Sequence, residues 1–136
     1  MASHATDPDR LLRLALRSNA AFSSTCGLLF AAASGPVGAF VGLPPALVLA
    51  LGLGLLIFAG LLVVTSGRAD PLRMRTEARA HCAADLAWVV GTVPVVALGV
   101  LTPAGSAALV AVSSVVLALA IAQWRGIGRT PAVQPG

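Results

Sequence analysis

The side chains in this 136-residue chain best equipped for chemistry are few, and they fall at one depth. Asp85 is the only acid inside an apolar stretch. His81 stands four residues before it, one helical turn away, where an imidazole can hydrogen-bond a carboxylate. Trp88 follows three residues later, placed to cover the acid from the lipid side. Asn19 comes two residues after Arg17, and Gln123 two residues before Arg125. Asp85 lies six residues beyond Arg79, about 9 Å at the helical rise. Two readings of this set compete. In one, Asp85 binds a cation or acts as a general acid or base, with His81 and Asn19 assisting. In the other, Asn19, Asp85 and Gln123 form a structural polar cluster across a helical bundle, with His81 or Arg17 neutralising the acid. An interhelical hydrogen bond contributes only about 0.6 kcal/mol, but a carboxylate at a membrane helix centre costs about 3 kcal/mol. With no second acid, no metal-ligand cluster and no nucleophile motif, the structural cluster is the preferred reading, and neither a metal nor a cofactor is expected.

These residues need elements to position them, and composition says what kind. The chain is 57% hydrophobic and 10% charged, where a soluble domain carries about 25% charged residues. Its mean hydropathy is +0.91. Four stretches are apolar and long enough to cross a bilayer, about residues 11–33, 46–66, 79–101 and 106–124. Each must be helical, because lipid offers a backbone nothing to bond with. The runs are continuous rather than alternating, which excludes a β-barrel. The expected fold is all-α, a polytopic four-transmembrane-helix bundle forming one domain over 1–129, with a disordered tail at 130–136. Within the connectors, Ser34–Pro45 is rich in Gly and Pro and carries an apolar middle too short to span, expected as a short interfacial helix. In Gly67–Ala80, Asp70-Pro71 is read as ending a helix and Thr76-Glu77 as starting the next.

The net charge of +4 and the pI near 11.1 do not indicate a nucleic-acid partner. The basic residues flank apolar segments instead of clustering on a soluble face. All nine are arginine. Arg10, Arg13 and Arg17 come before the apolar part of the first stretch at Asn19, Arg68, Arg73, Arg75 and Arg79 fall between the second stretch and the apolar part of the third, and Arg125 and Arg129 follow the fourth. The positive-inside rule then puts both termini in the cytoplasm. An Arg-only basic set in an Ala-, Val-, Leu- and Gly-rich chain suggests a bacterial inner membrane. The first stretch also fits a cleavable leader ending at Ala31-Ala32-Ala33, but an even number of spans favours its retention. Cys26 and Cys82 form no CxxC and read as small apolar residues.

Helices in lipid associate through small residues and polar contacts. The candidate packing stripes are Ser23, Gly27, Ala31 and Gly35; Ala46, Ala50 and Gly54; Ala83, Ala87 and Gly91; and Ser114, Ala118 and Ala122. Asn19 extends the first stripe and should point into the bundle. Asn19-x-x-Phe22 and Asp85-x-x-Trp88 head two spans of the same direction, which hints at duplicated hairpins with Asn19 facing Asp85. With NAAFSSTCGLLF, DLAWVVG and QWRG, the chain resembles small bacterial four-span integral membrane proteins of unassigned function. The resemblance implies a four-helix membrane fold and carries no activity with it. The expected role is a non-enzymatic membrane module, a partner subunit or assembly factor, working with the lipid bilayer and with a membrane-protein partner or a second copy. The alternatives are an integral membrane enzyme on a lipophilic substrate, or a small oligomeric transporter.

Overall fold

A computed structural model describes Asp7 and residues 9–129 and is all-α throughout them. The elements are α1 (Arg10–Ala32), α2 (Ser34–Val41), α3 (Pro45–Ser66), α4 (Pro71–Ala97) and α5 (Pro103–Gly128). The expected tail at 130–136 lies outside the described residues.

Helices α3, α4 and α5 are each long and apolar enough to cross a membrane. Helices α1 and α2 pass that test only as a pair, and the chain turns by 97° between them. Helix α1 covers the expected stretch at about 11–33, and the bend follows it. The opening turns of α1 carry Arg10, Arg13 and Arg17, and its middle carries Asn19 and several serines, so apolar length runs short before the bend. The number of spans is therefore three, or four with the bent pair counted as one.

Proline sets the other starts. Pro45, Pro71 and Pro103 sit in the first turn of α3, α4 and α5, where a missing N–H costs nothing. Asp70 caps α4 by accepting from the Leu72 amide at 3.0 Å. Thr102 caps α5 by accepting from the Gly105 amide at 2.9 Å. The same Asp-Pro pair expected to end a helix thus begins one, and α4 starts at Pro71, well ahead of Thr76-Glu77. Helix α5, which holds the stretch expected at about 106–124, begins at Pro103.

Helix α1 is central and packs most extensively against α3, then against α5, while α4 leans on α5. The contact faces differ from the expected stripes. Ala46, Ala50, Gly54, Ala83, Ala87, Gly91, Ser114 and Ala118 are all exposed. The buried face of α3 runs through Val48, Gly52, Ala59 and Leu62, and that of α4 through Met74, Ala78, Cys82, Asp85 and Thr92. Of the four stripes, only the first reaches a contact face, through Ser23, Gly27 and Ala31, while its Gly35 falls on α2 and is exposed. A Cβ on Gly52 would stand 2.9 Å from the Gly27 carbonyl oxygen and 2.7 Å from the Ala31 nitrogen, so the two backbones meet there. Gly126 does the same against Leu12, where its Cβ would come within 2.8 Å of the Leu12 Cα.

The apolar core gathers at the arginine end, from Leu12, Leu16, Ala20, Leu62, Met74, Ala78 and Ile127. Arg13 closes this end: its Nη1 donates to the Ser66 carbonyl at 2.6 Å and its Nη2 to the Arg68 carbonyl at 3.0 Å, capping α3. Arg75 bonds the Asp9 carboxylate at 2.6 Å, tying α4 to the start of α1. At the opposite end the Thr102 amide donates to the Val41 carbonyl at 3.0 Å, joining the α5 cap to α2. Many large apolar side chains on the outer faces, such as Ile57, Leu61, Val90 and Val93, are exposed. Such a surface is consistent with a multi-pass membrane protein.

Candidate functional site

Two polar clusters occupy successive turns of α4. The deeper one joins three helices. Asp85 accepts from Asn19 Nδ2 of α1 at 2.7 Å and from Gln123 Nε2 of α5 at 2.9 Å, both on its Oδ2. Ser23 donates to the Asn19 amide oxygen at 3.2 Å, one turn along α1, which fixes that amide with its nitrogen toward the acid. The set is sealed: Asp85 is 4% exposed, Asn19 1% and Gln123 0%. Cys82 packs alongside and donates its thiol to the Ala120 carbonyl at 3.5 Å. Gln123 Oε1 and Trp88 Nε1 are buried without a hydrogen-bond partner among the described residues.

The structure thus brings together Asn19, Asp85 and Gln123, and separates His81 from them. His81 does not bond Asp85, and Arg17 is exposed, so neither expected neutralising contact is made among the described residues. Among the described residues the carboxylate is held by two neutral amides.

His81 belongs to the second cluster, between α3 and α4 at the arginine end. Its Nε2 lies 3.0 Å from the Thr65 hydroxyl, which also donates to Glu77 Oε2 at 3.0 Å. With Thr65 donating to Glu77, Nε2 is the N–H that donates to Thr65; the tautomer follows from this network. The edge of Phe58 meets the imidazole, with ring centroids 5.4 Å apart at 77°. Glu77 further accepts from Arg68 Nε at 3.1 Å and from Arg73 Nε at 3.0 Å. Glu77 lies on the first turns of α4, ahead of the apolar stretch. The hydrogen bond from Arg68, joined by those from Thr65 and Arg73, holds its carboxyl well below the usual range, at about 2. At neutral pH Glu77 is therefore a fixed anion that orients its neighbours.

This second cluster borders a cavity of about 210 Å³, lined by Thr65, Arg68, Glu77 and His81 on its polar side and by Leu61, Val64 and Ala80 on its apolar side. An imidazole and a hydroxyl within hydrogen-bond reach of each other are the geometry in which protons move. The expectation of a purely non-enzymatic module is overturned here. Thr65, Glu77 and His81 are joined in one network on a cavity wall, with Asp85 a turn deeper on the same helix, and this suits acid–base catalysis better than passive packing.

Sequence reasoning missed Thr65, Glu77 and Arg68. A signal was present, since Glu77, His81 and Asp85 recur every fourth residue and so form one ladder on α4. Cys26 and Cys82 are both free thiols. Among the described residues no group of His, Cys, Asp and Glu could hold a metal.

No protein-family model, curated protein or solved structure matches the chain. The resemblance to small bacterial four-span proteins therefore gives no family, and what stands is a small all-α protein whose long apolar helices are consistent with several membrane passages.

Proposed function

We propose that the chain is an integral membrane enzyme performing acid–base chemistry on a lipophilic substrate, in the cytoplasmic leaflet of a bacterial inner membrane. The observation that carries this reading is the Thr65 hydroxyl set between the Glu77 carboxylate and the His81 imidazole on the wall of a cavity. The arginine distribution supports the orientation, with both termini inside. His81 exchanges a proton with the substrate, while Thr65 and Glu77 fix the ring. Asp85, one turn deeper, is the second acid–base group, held by Asn19 and Gln123. The bilayer is the immediate partner, and the exposed apolar faces of α3 and α5 meet lipid or a further subunit.

The test is chemical. Purified protein reconstituted with a total bacterial lipid extract is expected to change that extract's composition, read by mass spectrometry. His81→Gln and Asp85→Asn should abolish the change while keeping wild-type abundance in the membrane. The carboxamide introduced by Asp85→Asn still offers an oxygen to both amide donors, and its own nitrogen can donate to the orphan Gln123 Oε1. If the Asp85→Asn chain vanishes from the membrane, or if wild type leaves the extract unchanged, the catalytic reading falls.

A further inference from the structure

Glu77 grips its two arginines by their inner nitrogens. It takes Nε of Arg68 and Nε of Arg73, one on each carboxylate oxygen. Among the described residues, neither guanidinium uses its Nη atoms in a hydrogen bond. Each keeps its outer N–H groups, in the fixed fork that suits a phosphate. Arg68 lines the cavity itself, and Arg73 is bonded to Glu77, which lines it too. Two guanidiniums against one carboxylate leave a net positive charge. Beside them the cavity wall turns apolar at Leu61 and Val64, both 53% exposed on the outer face of α3. Cations from the α3–α4 connector and the first turn of α4 thus stand just beyond the end of α3, with greasy side chains on its last turns. That is the profile of a lipid molecule, with an anionic head and an apolar tail.

We propose that Arg68 and Arg73, held by Glu77, bind the phosphate of an anionic lipid whose chain lies along Leu61 and Val64, so that the headgroup faces His81. This rests on the acid–base reading above and names its substrate class. The Arg68 and Arg73 forks set the specificity for phosphate, and Glu77 is the positioning residue that presents them. General attraction of arginines to anionic headgroups is the competing explanation, and it asks for positive charge alone. The fork asks for guanidinium geometry.

The experiment separates the two. Protein carrying His81→Gln, in which no turnover is expected, is placed in phosphatidylcholine nanodiscs with a trace of spin-labelled phosphatidic acid, and the immobilised fraction is read by electron paramagnetic resonance. Binding is then measured without catalysis, so its failure and the failure of the enzymatic reading are told apart. A saturable immobilised fraction is expected, displaced by unlabelled phosphatidic acid and not by inorganic phosphate. The pair Arg68→Lys with Arg73→Lys keeps the charge and should lose affinity by about tenfold or more. Arg10→Lys with Arg79→Lys, two exposed arginines of the same end, should change nothing. Glu77→Gln, which frees the forks while leaving both arginines, should also weaken binding, and it serves if the lysine pair lowers helicity. Full retention by the lysine pair, or by Glu77→Gln, overturns the proposal in favour of general surface charge. Displacement by inorganic phosphate overturns the lipid assignment in favour of a soluble anion. Absence of an immobilised fraction overturns it outright.

Discussion

Asp85 and Glu77 lie two helical turns apart on α4, and they are held in opposite ways. Glu77 is surrounded by charge, with two guanidiniums and a hydroxyl, and its side chain is 25% exposed beside a cavity. Asp85 is sealed between three helices and meets two neutral amides. At the arginine end, ion pairing is cheap to arrange, because arginine can reach the site and keep its head exposed. One or two turns deeper, a second charge would add its own desolvation cost to that of the acid. Amides supply hydrogen bonds without that cost. The chain therefore uses cations at the arginine end of the bundle, and carboxamides deeper between the helices.

The largest effect should come from stripping the deeper carboxylate of both donors. Asn19→Leu with Gln123→Leu leaves Asp85 buried and unbonded. Each hydrogen bond to a charged group contributes about 1.5–3 kcal/mol, so the pair should destabilise the fold by about 3–6 kcal/mol. Unfolding in mixed micelles would read this directly. Adding Asp85→Leu to the pair should recover much of the loss, since an apolar trio needs no donors. A double variant as stable as wild type would mean that Asp85 reaches another partner, and the contrast with Glu77 would disappear.

A smaller change tests what keeps the clusters in register. Helices α1 and α3 meet through Gly27 and Gly52, and α1 brings Asn19 while α3 brings Thr65. A Cβ at position 52 would lie 2.7 Å from the Ala31 nitrogen and 2.9 Å from the Phe30 Cβ. These are backbone-bound atoms that cannot rotate away. Gly52→Ala should cost about 1–3 kcal/mol as overpacking. Gly54→Ala, two residues along the same helix with open space around it, should cost nothing measurable. Equal effects at the two positions would place the seam elsewhere.

Much of this was legible in the sequence, and the rest was not for a physical reason. The apolar segments and the one-sided arginines are read directly, because a bilayer tolerates few alternatives. Asn19, Asp85 and Gln123 were legible as a group, since polar side chains at one depth in lipid have only one another to bond. The packing faces were not. In water, a buried face is marked by its apolarity, but in lipid both faces of α3 are apolar, and Gly54 looks as suited to a seam as Gly52. Thr65 was hidden for a related reason, as a weakly polar residue at the end of a greasy run. The start of α4 was misread because Asp-Pro stops one helix and caps another equally well, and only the three-dimensional path decides.

In the arginine-free half, Thr92 and Ser113 give a third kind of polar contact, neutral on both sides. Their hydroxyls lie 2.9 Å apart between α4 and α5, and Thr92 donates to the Trp88 carbonyl at 3.0 Å. Thr92→Val should cost about 0.6 kcal/mol, the usual value for an interhelical hydrogen bond in lipid. Ser113 can then turn its hydroxyl to the carbonyl one turn back on its own helix, so no orphan remains. Steric-trapping measurements resolve a change of this size. A loss as large as that expected for Asn19 and Gln123 would show that charge at Asp85 is not what sets the deeper cluster apart.

The smallest expected effect is none at all, and it sharpens the comparison from the other side. Glu77 is the only glutamate in the chain, so glutamate labelled with carbon-13 gives an infrared carboxylate band from that residue alone. Its pKa is lowered from 4.5 to about 2, first by the hydrogen bond from Arg68. A carboxylate depressed in the folded state stabilises fully above its unfolded pKa and loses that contribution only as pH falls through the folded value. Between pH 7 and pH 4.5 the band should keep its ionised form and full intensity, and it should fade only as pH approaches about 2. Replacing Arg68 by Gln removes the first cause of the depression, and the transition should move up toward the ordinary carboxylate range. A wild-type band that already titrates near pH 4.5 would mean that the guanidiniums do not hold this acid, and the two carboxylates of α4 would no longer be a charged site set against a neutral one.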